Sequence, residues 1–170
     1  TFVIWLTQVI KSKQAWLRYS LIALSIVPVY YASAAALTKP EKVETTAEVE
    51  GEMTKKHGVD WYVFKPGLAE ELQAAGKVVF VDFTAAWCVT CQTNAQTIFG
   101  SSDVMDHIGS RDDLSFVLAD WTDENEDISK ELEKHGRAGV PLYLVYKPGE
   151  EIAVLPQILT PGIFLDAIAR

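Results

Sequence analysis

The stretch Val81-Asp82-Phe83-Thr84-Ala85-Ala86-Trp87-Cys88-Val89-Thr90-Cys91 decides how the rest of this sequence is read. It continues a near-continuous apolar run over residues 78–83 (VVFVDF), the pattern of a central strand buried on both faces. It then delivers two cysteines, three apart, into a segment over 88–98 that reads as a helix. On the first turn of a helix such a pair can close a small, reversible disulfide. Cys88 is expected near the helix N-terminus, where unpaired backbone N–H groups and the helix dipole favour a thiolate. Thiolate is the nucleophile of disulfide exchange. Cys91, one turn in, is expected to be more buried and placed to attack Cys88 and resolve a mixed disulfide.

Other uses of the pair are weaker. The chain holds two cysteines, too few for a disulfide framework or a four-cysteine zinc site. Half a zinc site would need two more ligands, and His57, His107 and His135 stand singly without ligand spacing. These histidines read as surface or helix-end residues, and no metal is expected. A purely structural bridge over so short a loop would constrain little of the unfolded chain. A redox-active pair is the favoured reading.

Working outward, the 170 residues suit one domain of roughly 100–150 residues with an appendage. A hydrophobic share of 49% excludes a wholly disordered chain. The net charge is −8, unevenly placed. Residues 1–37 carry Lys11, Lys13 and Arg18 and no acid, which leaves 12 basic against 23 acidic side chains after Leu37. So acidic a body argues against nucleic-acid binding.

Residues 1–10 (TFVIWLTQVI) are apolar but too short to span a bilayer, and suit the end of a preceding membrane helix. Since the first residue is threonine, the chain is expected to be cut from something longer. Residues 19–37 run uncharged for about 28 Å of helix, close to the roughly 30 Å hydrocarbon core. A buried core helix and a signal peptide cleaved at Ala32-Ser33-Ala34 are the alternatives to a spanning helix. Under either membrane-targeting reading the basic residues stay in the cytoplasm and everything after Leu37 lies outside, in an oxidising compartment. Residues 38–58 are polar and aperiodic and read as a linker, so the folded domain is expected over 59–170.

Within that domain a short strand is expected at 61–64 and a helix at 66–75, with Pro66 in its first turn and Gly76 as its stop. A short helix running to Ile108, capped by Ser102 or Asp103, follows the cysteine helix. A strand at 114–119, a helix at 126–135 ended by Gly136, and a strand at 142–146 come next. Lys147-Pro148-Gly149-Glu150 is a turn into a hairpin strand over 151–155, and Thr160-Pro161 opens a last helix. The order describes an α/β domain with a mixed sheet and helices on both faces.

V-D-F-x-A-x-W-C-x-x-C after an apolar strand, with Gly139-Val140-Pro141 before residues 142–146 (LYLVY), resembles the thioredoxin superfamily. Trp87-Cys88-Val89-Thr90-Cys91, Thr97-Ile98-Phe99, Ala119-Asp120-Trp121-Thr122 and residues 155–161 (LPQILTP) resemble the C-terminal domain of DsbD-type thiol:disulfide interchange proteins. The resemblance implies a thioredoxin-like fold, a cis Val140-Pro141 bond facing the cysteines, and a Val140 backbone that pairs with a bound substrate strand. It implies a protein-disulfide reductase held in the inner membrane with its domain on the periplasmic side. Electrons would arrive from a membrane-embedded donor domain and leave to extracytoplasmic thiol-disulfide proteins, including those serving cytochrome c biogenesis. No cofactor beyond the Cys88 and Cys91 sulfurs is implied.

Asp82 matches the buried acid of thioredoxins; its alternatives are a proton acceptor for Cys91 or a strand-end acid reaching water. Trp87 reads as an exposed ring shielding the disulfide and touching partners, against plain packing. Asp120 and Trp121 either flank the site or cap and pack. The pattern departs from cytosolic thioredoxins in having Val89 and Thr90, not Gly-Pro, between the cysteines, and Gln92 stands where a basic residue is usual. No Lys or Arg lies between Lys77 and Arg111. Two other functions stay open: the same fold run as an oxidase or isomerase, and a non-catalytic module binding copper or a partner.

Overall fold

The computed structural model describes residues 51–169. They form one six-stranded mixed sheet with helices on both faces. The strands are β1 (Met53–Lys56), β2 (Val59–Val63), β3 (Val78–Thr84), β4 (Leu114–Asp120), β5 (Leu142–Tyr146) and β6 (Ala153–Val154). The helices are α1 (Leu68–Ala74), α2 (Val89–Phe99), α3 (Ser102–Gly109), α4 (Glu126–Lys134) and α5 (Pro161–Ile168). The sheet order is β1-β2-β4-β3-β5-β6. β3 runs parallel to β4 and antiparallel to β5, so the strand that ends at the cysteines lies at the sheet's centre.

All seven residues of β3 are buried, as expected of a strand covered on both sides. Alternation divides them. Val79, Val81 and Phe83 pack with Leu68 and Leu72 of α1 and Ile128 and Leu132 of α4. Val78 and Phe80 pack with Ile98 of α2, Val104 of α3 and Phe164 and Ile168 of α5. Phe80, Trp61, Phe116, Phe99 and Phe164 meet there mainly edge to face, the arrangement that ring quadrupoles favour. Period-two alternation puts Asp82 on this same α2-facing side.

Three expectations need correction. The segment read as linker to Gly58 contains β1, which forms a hairpin with β2 through His57 and Gly58. Both turn residues have positive φ, 53° and 81°, as in the turns that match strand twist. β1 is an edge strand with three of its four residues exposed, so it carries no apolar alternation by which to be recognised. Pro66 precedes α1 instead of entering its first turn, because left-handed Gly67 caps the helix. The last hairpin strand is two residues long.

The expected membrane helix over 19–37 and most of the 38–58 linker lie outside the described residues. Among the described residues no helix is long and apolar enough to cross a membrane.

Candidate functional site

Cys88 is the N-cap of α2, with extended backbone at φ −83° and ψ 96°. Its Sγ accepts the Cys91 N–H at 3.1 Å, so a sulfur occupies the place where a serine or aspartate oxygen often caps a helix. The two sulfurs form a disulfide across a Cα separation of 5.3 Å. Both cysteines are buried, Cys88 7% exposed and Cys91 only 2%. The more accessible cysteine is thus the one at the helix end, where the dipole would stabilise its thiolate. No Lys or Arg lies between Lys77 and Arg111, so no neighbour in sequence adds a cation to that helix end.

Two loops hold the cysteine turn. On one side Ala86 N–H donates to Thr122 Oγ1 at 2.8 Å, and the Trp87 indole donates to the Thr122 carbonyl at 3.2 Å. Thr122 is itself fixed by Asp120, whose Oδ1 accepts from both the Thr122 amide and hydroxyl. The Trp87 ring, 54% exposed, leans on Trp121 with centroids 5.9 Å apart. Trp121 is anchored by its indole bond to Ser129 Oγ at 2.9 Å. On the other side Val140 packs against Ala85, Cys88 and Cys91, and the Val140-Pro141 bond is cis.

Asp82 lies below the cysteine turn, 7% exposed, and its Oδ1 has no hydrogen-bond partner among the described residues. Burial is the main cause that raises its pKa to about 7, with Asp120 adding to it and Lys56 opposing. Asp82 shares a small pocket with Asn94 and Ala95, one turn beyond Cys91 on α2, and with Tyr143 of β5. Among the described residues no group of three or more His, Cys, Asp and Glu side chains could hold a metal ion.

The model of the family described as Thioredoxin-like matches residues 60–148, just over half the chain. The chain belongs to that family. No curated protein matches it in sequence. Solved structures similar to it include the C-terminal domain of Neisseria meningitidis DsbD in the oxidised form, 20% identical, with a TM-score of 0.49, over 62% of this chain and 94% of that one. The first thioredoxin domain of mouse protein disulfide-isomerase A4 is 16% identical, with a TM-score of 0.50, over 75% of this chain and 84% of that one. A thioredoxin from Thermus thermophilus is 17% identical, with a TM-score of 0.48, over 64% and 84%. At these identities the likeness concerns the fold.

The thioredoxin-like domain brings Val140 against the two cysteines, with the cis bond leading into Pro141, keeps Trp87 exposed beside them, and sets Asp82 in the core. The sequence reading gave no role to three residues that the structure places at the site. Thr122 fastens the cysteine turn. Asn94 is a polar residue on the buried stripe of α2, between Cys91 and Ile98, and that break in an apolar stripe is a signal readable in the sequence. Tyr143, inside the apolar run of β5, gave no such signal.

Proposed function

We propose that this thioredoxin-like oxidoreductase works as a protein-disulfide reductase, taking two electrons from a membrane-embedded dithiol and passing them to disulfides of extracytoplasmic proteins. The observation that carries this reading is the Cys88–Cys91 disulfide at the N-terminus of α2, with the outer sulfur capping the helix and the inner one nearly enclosed.

The exchange balances as follows. Reduction by a donor dithiol leaves Cys88 as thiolate and Cys91 as thiol, releases the donor's second proton to water, and leaves the donor as disulfide. The Cys88 thiolate attacks one sulfur of the acceptor disulfide, whose other sulfur departs as thiolate. Cys91 gives its proton to the Asp82 carboxylate and attacks Cys88 Sγ. The bond from Cys88 to the acceptor breaks, and the acceptor's second sulfur leaves and is protonated. An acid with a pKa of about 7 is matched to that proton transfer at neutral pH. Trp87 and the Val140 backbone bind the acceptor segment beside the sulfurs, Val140 by strand-like pairing next to Pro141.

The proposed setting is the inner membrane, with the domain on the periplasmic side and cytochrome c biogenesis among the pathways its acceptors serve. The uncharged run over 19–37, preceded by Lys11, Lys13 and Arg18, supports that orientation.

The test is the midpoint potential of the cysteine pair in the 170-residue chain held in detergent micelles. It is read by Trp fluorescence against thiol buffers, with alkylation as the check. Electron donation predicts about −270 to −200 mV; a value near −120 mV marks an oxidant. A pair that does not cycle at all points to a binding module.

A further inference from the structure

We propose that Asp82, Tyr143 and Asn94 form a binding site for one buried water molecule, with Asn94, through Tyr143, acting as a positioning residue for the Asp82 carboxyl. The consequence for catalysis rests on Asp82 taking up the Cys91 proton; the water site itself does not.

The register of β3 and β5 sets Asp82 directly opposite Tyr143, so both side chains lie on the α2-facing side of the sheet. Asn94 comes down from α2 onto them, 4% exposed. Its amide nitrogen donates to Tyr143 Oη at 2.9 Å and to the Gln157 carbonyl at 2.7 Å. Its Oδ1 accepts the Leu159 N–H at 3.3 Å. Exchanging the amide's O and N would set oxygen against a carbonyl and N–H against N–H, so these bonds fix its orientation.

That orientation decides the roles of the other two. The Tyr143 oxygen is used as an acceptor, so its proton is free to be given away, and no protein group among the described residues accepts it. Asp82 Oδ1, buried in the same pocket, has no donor among the described residues. The pocket gives the centre of a water molecule about 10 Å³, enough for one, and a buried water needs two to four polar partners. A water there accepts from Tyr143 and donates to Asp82 Oδ1, which satisfies both. Burial holds the Tyr143 phenol well above its ordinary range, so it remains a donor throughout the working pH. The other titratable or charged groups bearing on Asp82 are Lys56 of β1, Asp120 at the end of β4 and Cys91 of α2, the last without a charge in the disulfide. α2 carries no charged residue.

Donation to the carboxylate lowers a pKa, so removing the donor raises it. The test follows the Asp82 carboxyl carbon by NMR titration in the oxidised 170-residue chain. Tyr143→Phe and Asn94→Leu should each shift the Asp82 midpoint upward by about half to one pH unit, and the double variant no further than the larger single shift. An unmoved midpoint in folded Tyr143→Phe overturns the proposal. Should the variants not fold, a high-resolution crystal structure of the unaltered chain decides. A density peak within hydrogen-bond reach of Asp82 Oδ1 and Tyr143 Oη supports the site, and a dry pocket overturns it. If the midpoint shifts while Asp82→Asn leaves exchange rates unchanged, the water site stands and the proton-acceptor role of Asp82 falls.

Discussion

The Thr122 hydroxyl accepts the Ala86 amide proton at 2.8 Å, tying the turn that carries Cys88 to the loop that follows β4. This side-chain bond acts with the Trp87 indole bond to the Thr122 carbonyl and with Val140 on the other side to hold the cysteine turn. Thr122→Val keeps the shape and removes both the acceptor for Ala86 and the donor to Asp120. The expected loss is about 1 kcal/mol, because the freed amide is exposed and can turn to water. The denaturation midpoint should fall accordingly. Trp87, whose indole bonds the backbone of the same residue, should show lower fluorescence anisotropy, and Thr122→Ser should restore both.

The division of labour between the sulfurs predicts two different failures. Cys91→Ser should leave the Cys88 thiolate able to attack but unable to be released, so mixed disulfides with acceptor proteins accumulate on non-reducing gels. Cys88→Ser should give no such adducts, because the remaining cysteine, Cys91, is 2% exposed. Adducts formed equally by both variants would contradict the assignment of roles.

Asp82 makes stability fall with rising pH. Its carboxyl titrates near 3.8 when unfolded and near 7 when folded. The folded state thus holds the proton more tightly, and ionisation disfavours the fold. The penalty is absent below about pH 4, grows through pH 7 and then levels off, reaching at most about 4 kcal/mol. Asp82→Asn should match the unaltered protein in urea at pH 4 and exceed it at pH 8. The same variant should slow resolution of the mixed disulfide by on the order of 10²-fold and remove the step near pH 7 from its rate profile. Gain of stability with full exchange activity would leave Asp82 without the proposed chemistry.

Trp87→Ala removes a half-exposed ring that leans on Trp121. Fold stability should change by less than about 1 kcal/mol, since much of the ring is already in water. Acceptor binding should weaken, raising KM about 2- to 10-fold with kcat held, if the ring contacts the partner. A fall in kcat alone would assign Trp87 to shielding the sulfurs instead.

The fold was legible where burial imposes a period. β3 and β5 read as apolar runs, and α4 shows Ile128 and Leu132 at helical spacing with Gly136 beyond its end. It was illegible at β1, a short exposed edge strand whose pairing is carried by backbone, and at the other edge the turn over 147–150 announced β6 but not its length of two residues. The site divides in the same way. Cys88, Cys91 and Pro141 announce themselves by residue type and spacing. Thr122 and Tyr143 matter through whom they meet across the fold, and that depends on register and loop geometry that a local pattern does not encode.

The cover over the sulfurs comes from far along the chain. Cys88 and Cys91 leave the ribosome attached to a strand whose two neighbours, β4 and β5, are not yet made, and Val140 arrives only with the second of them. A nascent chain therefore presents an uncovered dithiol to whatever oxidant it meets first. Within these 170 residues only one pairing is available. Among these residues early oxidation closes the same bond that the folded domain holds, and what competes with it is exchange with a foreign disulfide.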